Sequence, residues 1–128
     1  MTRDELIAMV RAYFAGVDGE DIEQIFAILA EDCRFSVETH RVALVGREEI
    51  TGMFDRLWSN HAAVHHEDFK FVIDAEEGKI AAQFRVVNIL QNGNKVYKSN
   101  CNFFSIRKNR FNKVAVYMAG ENTLDRAF

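Results

Sequence analysis

The sequence predicts an α+β domain, with three N-terminal helices packed in the concave face of a strongly curved, mainly antiparallel sheet, in the order α-α-β-α-β-β-β-β. Three observations predict it. Apolar residues recur at helical spacing in three stretches before His61; beyond His61 the period changes from 3.6 to 2 and stays there. Turn signals at AEEG (75–78), at Asn92-Gly93 and at Lys108 to Arg110 then divide the second half into hairpin-linked strands. Helices gathered before such strands cover one sheet face. A strand of about 12 residues spans about 40 Å, while a compact chain of this length is about 36 Å across, so the sheet must bend into a cone with one open end.

Each element has its own warrant. Leu6, Val10, Tyr13, Phe14 and Val17 form the apolar face of the first helix, which Gly16 and Gly19 close. Asp21 caps a second helix bearing Ile22, Ile25, Phe26 and Leu29, with its end expected near Glu31 and Asp32. In CRFSVET, Cys33, Phe35 and Val37 alternate as in a half-buried strand. After Gly46, the residues Ile50, Met53, Phe54, Leu57 and Trp58 share one face of a helix over 48–61, and His61 extends the stripe. Four strands are expected near 64–74, 79–91, 95–107 and 111–119.

Composition narrows the functional classes. The chain of 128 residues is 48% hydrophobic, enough for one core, and shows no linker or repeat, so residues 1–128 read as a single domain. A net charge of −3 with scattered Lys and Arg provides no basic field for nucleic acid. No apolar run reaches membrane-spanning length, and MTRDELIAMV lacks the basic-then-apolar start of a signal peptide, so the expected location is cytoplasmic. Cys33 and Cys101 stand apart and read as buried hydrophobes; no metal site or cofactor is expected.

KSNCNFFSI (98–106) sets Asn100 and Asn102 in a strand that should be buried, although strands deplete Asn. A two-residue turn at Asn92-Gly93 would pair Arg85 with Asn100 and Gln83 with Asn102 on one face. Continued through the next turn, that face gathers Ile73, Phe71, Phe69, Glu67 and His65. Either the polar cluster is a satisfied buried network that fixes the register, or it is the polar end of an apolar pocket walled by Phe14, Val37, Phe54, Trp58, Phe69, Phe71, Phe104, Val116 and Met118. The opposite face would carry Phe84, Val86, Leu90, Cys101 and Phe103, too apolar for water, and therefore predicts a homodimer through the sheet.

The stretch AYFAGVDGEDIEQIFAILAEDCRF, the Gly before a helix in LVGREEITGMF and the ending FFSIRKNRFNKVAVYMAGENTL resemble the SnoaL-like and ketosteroid-isomerase-like branch of the nuclear transport factor 2 superfamily. The likeness covers nearly the whole chain and implies the same cone and a symmetric dimer. In ketosteroid isomerases a Tyr and a protonated Asp form the oxyanion hole and a second Asp moves the proton. By that resemblance Tyr13 matches the Tyr, Asn102 stands in place of the neutral acid, and Val37 in place of the base. Val37 accepts no proton, so steroid isomerisation is disfavoured.

Histidine remains as the acid–base candidate, since an imidazole ordinarily titrates at about 6.5. His61 at the end of the third helix and His65 on the inner strand face are the expected candidates; the neighbouring His66 points oppositely from His65 on a regular strand, which speaks against a shared metal. The resulting expectation is a cofactor-free ligand-binding cone for a small, largely apolar molecule bearing a carbonyl or hydroxyl. Isomerisation, cyclisation or dehydration by proton transfer is one outcome: Tyr13 and Asn102 would polarise the substrate oxygen, Arg85 would orient it, and His65 or His61 would move the proton. Gln83 and Asn100 complete the expected ligand contacts. A non-enzymatic dimeric binding or protein-interaction module is the alternative on the same scaffold.

Overall fold

In the computed structural model, which describes residues 1–124, the chain runs α1 (Arg3–Asp18), α2 (Ile22–Ile28), β1 (Leu29–Val37), a 3-10 turn (Glu38–His40), β2 (Val42–Val45), α3 (Arg47–Asn60), β3 (His61–Asp74), β4 (Lys79–Leu90), β5 (Lys95–Arg107) and β6 (Arg110–Tyr117). The six strands form one open sheet in the order β2-β1-β6-β5-β4-β3. All pairs are antiparallel except β1 with β6. This is the predicted α+β class, with the short edge strand β2 added.

Local chemistry sets the helix boundaries. Thr2 and Glu5 form a reciprocal capping box that satisfies two otherwise orphaned N–H groups of α1. Asp21 caps α2 by accepting from the Gln24 N–H at 3.1 Å. That helix stops at Ile28, not near Asp32: Leu29 is already extended and fully buried, because the sheet takes over the chain. The three helices lay Leu6, Val10, Tyr13, Phe14, Ile25, Phe26, Ile50, Phe54 and Leu57 against Phe35, Ile80, Phe84, Phe104, Phe111 and Val114, making one core.

The β4–β5 register differs from the expected one. Phe84 pairs with Asn100 and Ala82 with Asn102, so the loop at Asn92-Gly93 has three residues, closed by the Leu90 N–H donating to the Asn94 carbonyl at 2.8 Å. A one-residue shift turns all of β4 over. Phe84 and Val86 are buried against the helices, whereas Gln83 and Arg85 are exposed on the outer face. Burying Phe84, Val86 and Ile80 outweighs the preference of Asn-Gly for a two-residue turn.

A second irregularity lies in β3. Asp68 adopts φ +56° and the pairing shifts between Glu67 and Lys70, a β-bulge. Phe69, Phe71 and Ile73 face the helices on one side of the bulge, and Val64 and His66 do so on the other. His65 and Glu67 are exposed. His61 does not extend α3 but opens β3, buried, with its Nδ1 at 2.8 Å from the Leu57 carbonyl.

Candidate active site

Between the helices and the sheet lies a small cavity of about 40 Å3 lined by side chains from α1, β1, α3, β3, β4, β5, β6 and the strap 118–124 that follows β6. Its polar members are Tyr13, His66, Asn88, Asn100, Asn102 and Thr123; its walls include Phe14, Phe54, Leu57, Phe84, Val116 and Met118. The even-numbered residues of β4 and β5 face the helices, which is why Asn88, Asn100 and Asn102 arrive together.

His66 is the residue that the sequence reading passed over. The Asp68 bulge returns it to the inner face, where its ring lies 4.6 Å from Phe14 and 5.4 Å from Phe84. Asp18, the last residue of α1, meets it twice: the His66 backbone N–H donates to Oδ2 at 2.9 Å, and the Nδ1–H donates to Oδ1 at 2.5 Å. With Nδ1 committed to a carboxylate, the ring is fixed in orientation and tautomer, and Nε2 is left to exchange a proton. Both side chains are largely sheltered from solvent.

Tyr13 is buried on α1, its ring edge-on to Phe14 and Phe104. Burial, and secondarily the nearby Cys33 and Asp18, push its phenol well above 10, so it remains a neutral hydrogen-bond donor. Asn100 accepts from the Ala119 N–H at 3.0 Å and ties the strap to β5. Among the described residues, Oδ1 of Asn102 and both Oδ1 and Nδ2 of Asn88 have no hydrogen-bond partner. A buried amide in that state costs about 1–3 kcal/mol, an expense that folding alone does not call for.

The structure brings together Tyr13, Asn102, Asn100, Phe14, Phe54, Val116 and Met118 of the expected site residues. Val37 and Phe104 are buried in the adjoining core, and Trp58 is half-buried, donating from Nε1 to the Val17 carbonyl at 2.9 Å. Phe69 and Phe71 stack on each other, with the Arg11 guanidinium 5.5 and 5.3 Å from their centroids. Arg85 and Gln83 stand on the outer face, where Arg85 lies 3.9 Å from Asp68 in an exposed pair of little energetic weight. His65 is exposed, and His61 lines a separate groove. The signal for His66 was present: inward apolar residues keep even parity at Val64 and odd parity at Phe69, Phe71 and Ile73, and a phase break of that kind marks a bulge.

Among the described residues no three His, Cys, Asp or Glu side chains are placed to hold a metal ion, and no helix is long and apolar enough to cross a membrane.

The comparisons agree with this fold. The family model of the SnoaL-like domain matches residues 10–114. No curated protein matches the sequence. A candidate polyketide cyclase from Xanthomonas campestris pv. campestris superposes with a TM-score of 0.82 at 19% identity, covering 90% of each chain. PrhC from Penicillium brasilianum gives 0.82 at 16% identity, over 93% of this chain and 83% of its own. TerC, co-crystallised with polyporic acid, gives 0.79 at 12% identity, over 90% and 92%. At these identities the likeness is one of fold.

Proposed function

The chain belongs to the SnoaL-like family, and from that premise we propose that it binds a small, largely apolar molecule through a carbonyl or hydroxyl and moves a proton on it with the His66–Asp18 pair. The observation that carries this reading is the carboxylate-oriented imidazole lining the same cavity as Tyr13 and Asn102. The similarity to a candidate polyketide cyclase supports it at the level of chemical class.

The steps are those of carbonyl acid–base chemistry. Nε2 of His66 takes a proton from the carbon beside a carbonyl, and the electron pair passes to the oxygen as an enolate. Tyr13, neutral over the working range, donates to that oxygen, and the Asn102 amide is the second donor. Asp18 stabilises the imidazolium so formed. Returning the proton to another carbon gives isomerisation, attack of the enolate carbon on a second carbonyl gives cyclisation, and loss of a β-hydroxyl as water gives dehydration. In this assignment His66 replaces His65 and His61 as the proton carrier, and Arg85 has no part.

The test is exchange of α-protons of 2-butanone into D2O, followed by 1H NMR. The expected result is exchange faster than buffer alone and reduced about 10²–10⁴-fold in His66→Ala. Exchange equal to buffer, with binding of the ketone intact, would favour the non-enzymatic binding module.

We further propose a homodimer through the outer sheet face, with a corrected set of residues. Phe84 and Val86 face the helices and Leu90 lines a groove on that same inner side; of the expected patch only Cys101 and Phe103 lie outward. Val72, Tyr97 and Tyr117 join them there, all well exposed.

A further inference from the structure

Asn88 stands where two spaces meet. It is 1% exposed, and both polar atoms of its amide lack a partner among the described residues. It lines the inner cavity and also a groove of about 420 Å3, walled by His61, Leu90, Val96, Tyr97, Lys98 and the strap residues Ala119, Gly120 and Glu121. Asn88 and Thr123 are common to both. The strap is held over this junction by three bonds from β5 and the 3-10 turn: the Ala119 N–H donates to Asn100 Oδ1, a ring nitrogen of His40 donates to the Gly120 carbonyl at 3.0 Å, and Lys98 Nζ donates to the Glu121 carbonyl at 2.5 Å.

The two spaces differ in what they can hold. About 40 Å3 accommodates a polar head and little more, an order of magnitude below the 300–1,000 Å3 of ordinary small-molecule sites. The groove reaches that range, and Leu90, Val96, Tyr97 and Ala119 make much of its wall apolar. A buried amide with a free donor and a free acceptor, shared by the linings of both spaces, is matched by a ligand atom group placed between them.

We propose that the ligand is bipartite: its carbonyl or hydroxyl head enters the inner cavity, Asn88 hydrogen-bonds it at the junction, and an extended apolar body lies in the groove beneath the strap. This rests on the head-group reading above and adds the substrate class, a small polar head on an apolar chain or ring system several carbons long.

The test is an NMR-monitored titration of the full chain with 2-alkanones from 2-butanone to 2-decanone. Kd falls about fourfold for each added methylene until the groove is filled. Val96→Trp and Leu90→Trp, which narrow the groove, weaken 2-decanone at least tenfold more than 2-butanone. Asn88→Leu weakens the short and long ketones alike, by about tenfold at most. A Kd that stays flat along the series while 2-butanone binds overturns this inference and leaves the proposed function standing; failure of every ketone to bind removes both. Val96→Trp altering sedimentation with the methylene slope intact assigns the groove to a second copy of the chain, which also overturns the inference.

Discussion

The imidazole of His66, on the first long strand, and the carboxylate of Asp18, at the end of the first helix, meet at 2.5 Å across 48 residues of sequence. Asp18 receives the backbone N–H of His66 as well, so the contact holds both the ring and the strand beside the bulge. Replacing Asp18 with Asn keeps the shape but removes the charge that fixes the proton on Nδ1. The expected outcome is a shift of the His66 tautomer toward Nε2–H, read from long-range 1H–15N correlations, together with a drop of about 10²-fold or more in α-proton exchange. An unchanged tautomer in Asp18→Asn would strip Asp18 of its orienting role.

Asn88 offers a separate measurement. An amide buried without partners destabilises the fold, and an apolar side chain of similar size relieves that cost. Asn88→Leu is therefore expected to raise the urea unfolding free energy by about 1 kcal/mol while weakening ketone binding, the opposition of stability and function common at sites. A loss of stability greater than about 1 kcal/mol would show that the amide is hydrogen-bonded in solution.

How much of this was legible in the sequence depends on which force set each feature. Helix faces and the half-buried strand of Cys33, Phe35 and Val37 follow directly from apolar periodicity, and Asp21 behaves as its side chain dictates. Asn100 and Asn102 are expected inward because their face continues through the hairpin turns to Phe69 and Phe71, and both are buried there. The two-residue preference of Asn-Gly does not set the register, because a face that buries Ile80, Ala82, Phe84 and Val86 outvalues a turn preference. An unbroken strand would turn His66 outward, but Asp68 breaks it with a positive φ that Asp tolerates better than most residues. Asp18 carried no local pattern, since its role exists only once α1 and β3 are packed together.

Stability should fall at alkaline pH. Burial pushes the Cys33 thiol up to about 12, with Asp32 adding to the effect, and pushes the Tyr13 phenol well above 10. Both folded pKa values are raised, so the unfolded chain releases protons that the native one keeps. Their contribution is fully present below the unfolded values of about 9 and 10 and is lost as pH rises toward the folded ones, by at most about 1.4 kcal/mol per pH unit for each proton. Urea unfolding between pH 8 and 11 reads this slope, and Cys33→Val should flatten the part that begins near 9. A slope identical in Cys33→Val and wild type would show that the thiol is not the group responsible.

The outer sheet face carries the last prediction. Val72, Ala81, Phe103 and Ala115 pair in register across β3, β4, β5 and β6, so they form one row, in which Phe103 stands proud between two alanines. Val72 is 77% exposed and Phe103 51%, and Tyr117 packs edge-on to Phe103 at 5.7 Å. A knob flanked by hollows is self-complementary: in a two-fold dimer each Phe103 settles over an alanine of the partner. Burial of about 800 Å² of apolar surface supplies roughly 20 kcal/mol of gross driving force. Association costs of about 4–15 kcal/mol leave a net gain. Sedimentation velocity is expected to show a dimer at micromolar concentration, and Phe103→Glu a folded monomer, because the substituted side chain lies outside the core. A wild-type chain that sediments as a monomer at tens of micromolar would leave this row of apolar side chains without a partner and would end the proposal of a sheet-face dimer.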